Sequence, residues 1–182
     1  MKSLSITRFL FATVLMFGLA FTANAQKGKP KSPPASAAHS VGDLTIEVNY
    51  NAPSVKGREI WDGLVPFGKV WRTGANGATT FEVNKDVFIT GEALAAGKYA
   101  LFTIPTDGDW TIIFNKEPNQ WGAYSYDKGQ DALRITTKTG KAQAFTEQMA
   151  FEVNDNDENI GVVTFKWENL KTSFNVSVAA EK

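Results

Sequence analysis

This chain carries its positive charge on lysine and uses arginine sparingly. From residue 39 onward it has eleven lysines but only three arginines, Arg58, Arg72 and Arg134. They occur in "KGREIW", in "VWRTGAN" and at the end of "YSYDKGQDALR", so each stands in or beside a segment rich in Trp, Gly or Tyr. Lysine is a hydrated point charge, whereas arginine is a planar, permanently charged fork that suits carboxylates, carbonyls and aromatic faces. Two roles fit these three residues. In a structural role they pair with carboxylates such as Glu47, Asp62, Asp127 or Asp131 and pin a loop to its scaffold. In a binding role they line a pocket for an anionic or hydroxyl-rich ligand.

Aromatic side chains extend the second possibility. Trp61, Trp71, Trp110 and Trp121, with Tyr124 and Tyr126, offer flat faces on which sugars stack. Trp110 precedes an apolar run and reads as core. Trp121 follows Pro118-Asn119-Gln120 and precedes Gly122, so it is the ring expected to be exposed. Three segments therefore make up the candidate ligand-binding set: Lys56 with Arg58; Trp71 and Arg72 through Asn76; and Trp121, Tyr124 and Tyr126, with Arg134 beyond.

Other chemistry has less to build on. There is no cysteine, which excludes disulfides, thiolate metal sites and cysteine nucleophiles. His39 is the only histidine and no G-x-S-x-G elbow is present, so a serine triad has little support. Zinc needs more His or Cys than the chain owns. Asp155-x-Asp157-x-Asn159 begins like a calcium loop, but Ile160 stands where glycine is required and Lys166 where the closing Glu belongs. No metal or cofactor is expected. Glu47, Glu59, Asp62, Asp127 and Asp131 could serve a glycoside hydrolase, yet no spacing singles out a pair. "TGANGATT" lacks the lysine and following helix of a phosphate loop. There, Gly74, Asn76 and Gly77 are expected to supply positive φ for a turn into the next strand. From His39 onward, 14 basic residues face 19 acidic ones, a net charge of −5 that does not suit a nucleic-acid partner.

The elements that must position these residues follow from periodicity. Residues 1–25 read as a signal peptide: Lys2 and Arg8, an apolar run from Phe9 to Phe21, and the small-x-small site Ala23-Asn24-Ala25, with a cut expected after Ala25. The run is too short for a membrane span, which needs about 20 residues. The mature chain is then periplasmic or secreted, without a transmembrane segment. Residues 26–38, rich in Pro, Lys, Ser and Ala, read as a flexible tether or extended arm. Residues 39–182 form one domain. About nine runs rich in β-branched and aromatic residues alternate with Gly, Pro, Asn and Asp, which predicts an all-β, antiparallel, jelly-roll-like β-sandwich. Weak helical spacing occurs only over Asp131–Ile135 and Ala142–Met149. Phe145, Met149, Phe151 and Val153 share one parity, as do Val163, Phe165 and Trp167, so each set should line a buried face. Residues 51–76 form the exception, a long irregular segment dense in Gly, Pro and Trp.

"LVPFGKVWRTGANGATTFEV", "LAAGKYALFTIP" and "WGAYSYDKGQDALRI" together resemble a family of exported bacterial proteins, domain of unknown function 2911. The resemblance runs from about Ser32 to Trp167. It implies a secreted or periplasmic all-β domain and brings no established substrate, cofactor or catalytic residue. The sequence thus supports a noncatalytic binding module for a small ligand, a glycan or an envelope partner. A carboxylate-based hydrolase on the same loops and a purely structural envelope protein are the alternatives.

Overall fold

A computed structural model describes residues 31–156 and 160–178. The expected signal peptide, its cleavage site and residues 26–30 of the tether lie outside the described residues, as do Asp157 and Asn159 of the calcium-like loop. Among the described residues there are ten strands: β1 (Pro34–Val41), β2 (Leu44–Asn51), β3 (Thr79–Val83), β4 (Val87–Ile89), β5 (Glu92–Leu94), β6 (Gly97–Ile104), β7 (Trp110–Asn115), β8 (Asp131–Thr137), β9 (Thr139–Asp155) and β10 (Gly161–Ser177). They form two antiparallel sheets, one of six strands in the order β1-β2-β3-β6-β7-β8 and one of four in the order β5-β4-β10-β9. The sheets pack face to face as a sandwich.

Each sheet's inner face follows from period-two alternation. Leu44, Ile46 and Val48 of β2, Phe81 and Val83 of β3, and Trp110, Ile112 and Phe114 of β7 turn inward. Val163, Phe165 and Trp167 meet them from β10. Burying each such side chain stabilises the fold by about 1.5–3 kcal/mol, and with no cross-links this core must hold the domain.

Several elements differ from the expectation. The tether expected through Ala38 becomes strand at Pro34. Small residues and His39 alternate half-buried with exposed along β1, Pro34 occupies the first strand position, where its missing N–H does no harm, and a two-residue turn at Gly42-Asp43 returns the chain into β2. The two segments with weak helical spacing are strand, because β8 and β9 are held by ladder bonds to β7 and β10. The runs "GVVTFKW" and "TSFNVSVA" fuse into β10. Register shifts flank Glu168, whose φ is 56°. Before it, Gly161, Val163, Phe165 and Trp167 are buried; after it, Thr172, Phe174 and Val176 are. These two shifts, which place extra residues on β9, accompany a switch in which parity of β10 faces the core. Met149, Phe151 and Val153 are buried as expected, but Phe145, beyond the shift on β9, is 55% exposed.

The six-stranded sheet is also covered on its outer face. Ala100 and Phe102 of β6 and Ile113 of β7 are fully buried there, under Val70, Ala78, Ala123 and Tyr126. This small second core packs residues 70–78 and 123–126 against the outer face.

Candidate functional site

The irregular segment is anchored at both ends. Met149 donates its N–H to the Pro53 carbonyl (2.9 Å) and Val55 donates to that of Glu147 (2.8 Å), tying the start to β9. Trp71 and Thr103 exchange both backbone bonds (2.8 and 2.9 Å), tying the end to β6. Between these anchors Ile60 and Val65 are buried. Trp61 enters the end of the sandwich and packs edge-on against Trp110 at 4.9 Å and Trp167 at 5.8 Å. Trp71 stacks on Trp167, with centroids 5.8 Å apart and planes 16° from parallel. The tryptophans join the loop to both sheets.

The stretch "WRTGAN" then folds tightly back. Thr73 is fully buried, with φ 50°, and its hydroxyl bonds to that of Thr103 at 3.1 Å, while Thr79 donates to the Thr73 carbonyl at 2.7 Å. A β-branched residue rarely adopts this φ, and the buried hydrogen bonds hold it there. Of the residues expected to supply positive φ, only Asn76 does so (60°); Gly74 and Gly77 do not. Gly74 is needed for a different reason. A Cβ there would meet the Thr79 hydroxyl at 2.9 Å and the Asn51 carbonyl at 3.1 Å.

The second loop docks on this turn. Ala78 donates to the Gln120 carbonyl and Gly122 to that of Asn76, at 3.0 and 3.1 Å. Trp121 is 67% and Tyr124 86% exposed. Gly122 has φ 67°, and a Cβ on it would lie 3.1 Å from the Tyr124 ring and 3.3 Å from Arg72 Nη1. The tip of Arg72 thus lies against this loop.

Arg58, Trp71 and Arg72 come together around a cleft of ≈ 200 Å³, with Pro53, Leu64 and Trp167 also in its wall. Ser32, Val65, Gly74 and Ala75 complete the lining, and no carboxylate belongs to it. Arg58 is exposed and held by two carbonyls, its Nε donating to Val55 at 3.1 Å and its Nη2 to Ser54. The Arg72 carbonyl accepts from the Thr79 N–H at 3.2 Å, but its guanidinium has no hydrogen bond or ion pair among the described residues, although its Nε is buried. The indole N–H of fully buried Trp167 is likewise unpaired. A buried donor without a partner costs about 1–3 kcal/mol, and more when charged. Two cations thus line one concavity, with unpaired buried donors on Arg72 and Trp167 behind its wall.

The remaining candidates divide. Asn76, Trp121 and Tyr124 do not line the cleft; the Asn76 carbonyl accepts from Gly122, and Trp121 and Tyr124 are exposed on the docked loop. Lys56 does not line it; its backbone N–H is held by the Glu147 carboxylate at 3.0 Å. Arg134 and Tyr126 belong to a separate polar network. Arg134 Nε donates to Asp131 Oδ2 at 2.6 Å and its Nη2 donates to the Tyr126 hydroxyl. That hydroxyl donates to Asp131 Oδ2 at 2.7 Å, and Asn115 donates to Asp131 Oδ1 at 2.8 Å. Burial, and then the Asp131 carboxylate that accepts its proton, push Tyr126 from 10.0 to about 12 against the opposing pull of Arg134. Of the carboxylates expected to hold arginines, only Asp131 does so. Glu47 accepts from Asn49, Asp62 from the Phe67 N–H and Asp127 from the Gly129 N–H. His39 pairs with Asp155 at 3.0 Å, joining β1 to β9. Trp167 and Ser32 are wall residues that sequence reasoning missed. Trp167 shares the inward parity of Val163 and Phe165, and nothing in that alternation distinguishes a wall from a core.

Among the described residues no group of three or more His, Asp or Glu could hold a metal ion, and no helix is long and apolar enough to cross a membrane. Fold and cleft together define an all-β sandwich domain with a small concave site whose charged side chains are all cationic. The chain belongs to the family described as protein of unknown function DUF2911, which matches residues 32–176. No curated protein and no solved structure matches it.

Proposed function

We propose that this protein is an exported, noncatalytic binding module that takes a small ligand in the cleft between Arg58, Trp71 and Arg72. One observation carries this reading. Arg72 lines the cleft and its guanidinium has no hydrogen-bond or ion-pair partner among the described residues, where a purely structural arginine would be satisfied by its own fold. The second arginine is fixed by carbonyls rather than neutralised, so its charge remains available to a ligand. A half-buried indole, Trp71, offers the apolar surface that such sites commonly combine with a few placed polar groups. The wall contains no Asp or Glu, so the general acid and base of glycoside hydrolysis have no place in this cleft.

The test is the double variant Arg58→Lys, Arg72→Lys. Lysine keeps both charges but loses the fork. The variant is expected to melt close to the parent while losing binding to a panel of envelope sugars and small organic acids, followed by tryptophan fluorescence and calorimetry. A clear drop in melting temperature with unchanged ligand binding would assign the arginines to architecture instead.

A further inference from the structure

We infer that the ligand of this cleft is a small organic acid, recognised by its anionic head at Arg58 and Arg72 and by an apolar body against Trp71 and Leu64. This rests on the binding role proposed above and narrows it to a chemical class. The polar side chains that line the cleft are two guanidiniums, which only donate, and the Ser32 hydroxyl, which can also accept. A ligand that complements them must accept hydrogen bonds and carry negative charge. Neutral sugars, which donate as much as they accept, would leave their own hydroxyl protons without partners here.

Arg58 is positioned in advance. Its Nε and Nη2 are held by the Val55 and Ser54 carbonyls, which leaves three of its five N–H groups and its whole charge free. Arg72 supplies the second charge, and its buried Nε and the Trp167 N–H are donors that lack partners. No carboxylate lies within ion-pair distance of either guanidinium among the described residues, although the domain as a whole is acidic. The positive charge is therefore local to this concavity. An apolar body has somewhere to go as well: Pro53 and Val65 are buried in the wall, while Leu64 is 47% exposed. At ≈ 200 Å³ the cleft is smaller than the roughly 300–1,000 Å³ typical of drug-sized ligands, which limits the body to one ring or a short chain.

The experiment uses the full chain with two acids, benzoate and hexanoate, their neutral isosteres benzamide and hexanamide, and inorganic phosphate. Binding is read by calorimetry and by tryptophan fluorescence. The acids are expected to bind at least about tenfold more tightly than their amides, with affinity falling as salt rises. Arg72→Gln is expected to lose at least about tenfold for benzoate while melting within a few degrees of the parent. If Arg72→Gln does not fold, Arg58→Gln and the acid–amide comparison on the parent chain decide the matter. Equal binding of acids and amides overturns the inference, as does phosphate matching benzoate, since then no apolar body is read. A neutral sugar that binds in the cleft while the acids do not also overturns it, but leaves the binding module standing. Silence from acids, amides and sugars alike removes both.

Discussion

Arg134 and Arg72 are the same residue in two electrostatic settings. Arg134 sits in a closed network, bonded to Asp131 and to Tyr126, and Asp131 is bonded in turn by Asn115. The Arg72 guanidinium sits at a cleft wall with no hydrogen-bond or ion-pair partner among the described residues. Both lie beside loops that cover the outer face of the six-stranded sheet. The contrast shows that a scarce arginine is not by itself a site or a strut. Its role depends on whether the fold supplies acceptors for its donors. Where they are supplied, the residue contributes to holding the fold; where they are missing, the fold carries an unmet demand that a ligand can satisfy.

The sharpest way to break this contrast is to remove each cation and compare melting. Arg134→Leu leaves Asp131, whose side chain is only 8% exposed, without its counter-charge. A loss of about 2–3 kcal/mol is expected, or roughly 6–10 °C in calorimetric melting. The same network can be loosened by pH. Because Tyr126 is raised in the folded state, its contribution is fully present below pH 10 and is lost as pH rises through about 12. Urea unfolding between pH 9 and 12 should show this slope, and Tyr126→Phe should flatten it. Gly122→Ala is expected to cost about 1 kcal/mol, because a Cβ there adopts a left-handed φ and crowds Arg72 and Tyr124. It should also weaken ligand binding through the displaced guanidinium. Arg72→Gln closes the series, with no loss of stability, because it removes a charge and a buried N–H that the fold leaves without a partner. A drop as large as that of Arg134→Leu would erase the distinction between the two arginines.

Much of the architecture was legible beforehand. The shared parity of Met149, Phe151 and Val153 and that of Val163, Phe165 and Trp167 predict buried strand faces that the structure contains. The same kind of local reasoning placed Trp110 in the core and Trp121 in solvent, at 0% and 67% exposure. It failed where a distant contact decided the outcome. β1 was hidden because its small, Pro-led residues look like a tether until β2 is there to pair with them. Phe145 has the parity of its buried neighbours, but it lies among the extra β9 residues where the two strands shift register, and it faces outward. The candidate site was partly legible for the same reasons. Arg58, Trp71 and Arg72 were singled out by composition and do converge. Lys56 and Tyr126 were carried in with their motifs and stand elsewhere, while Trp167 was concealed inside an ordinary inward-facing strand.

The sequence by itself determined the strands, their apolar faces and the reliance on a core without covalent ties, because these depend on period-two patterning and composition within a few residues. Only the tertiary structure decided which arginine is satisfied and which is not. That depends on what other segments bring within three ångströms of a guanidinium: Arg72 meets Trp167 and Arg58 across a cleft built from three distant stretches of chain, and none of them delivers a carboxylate.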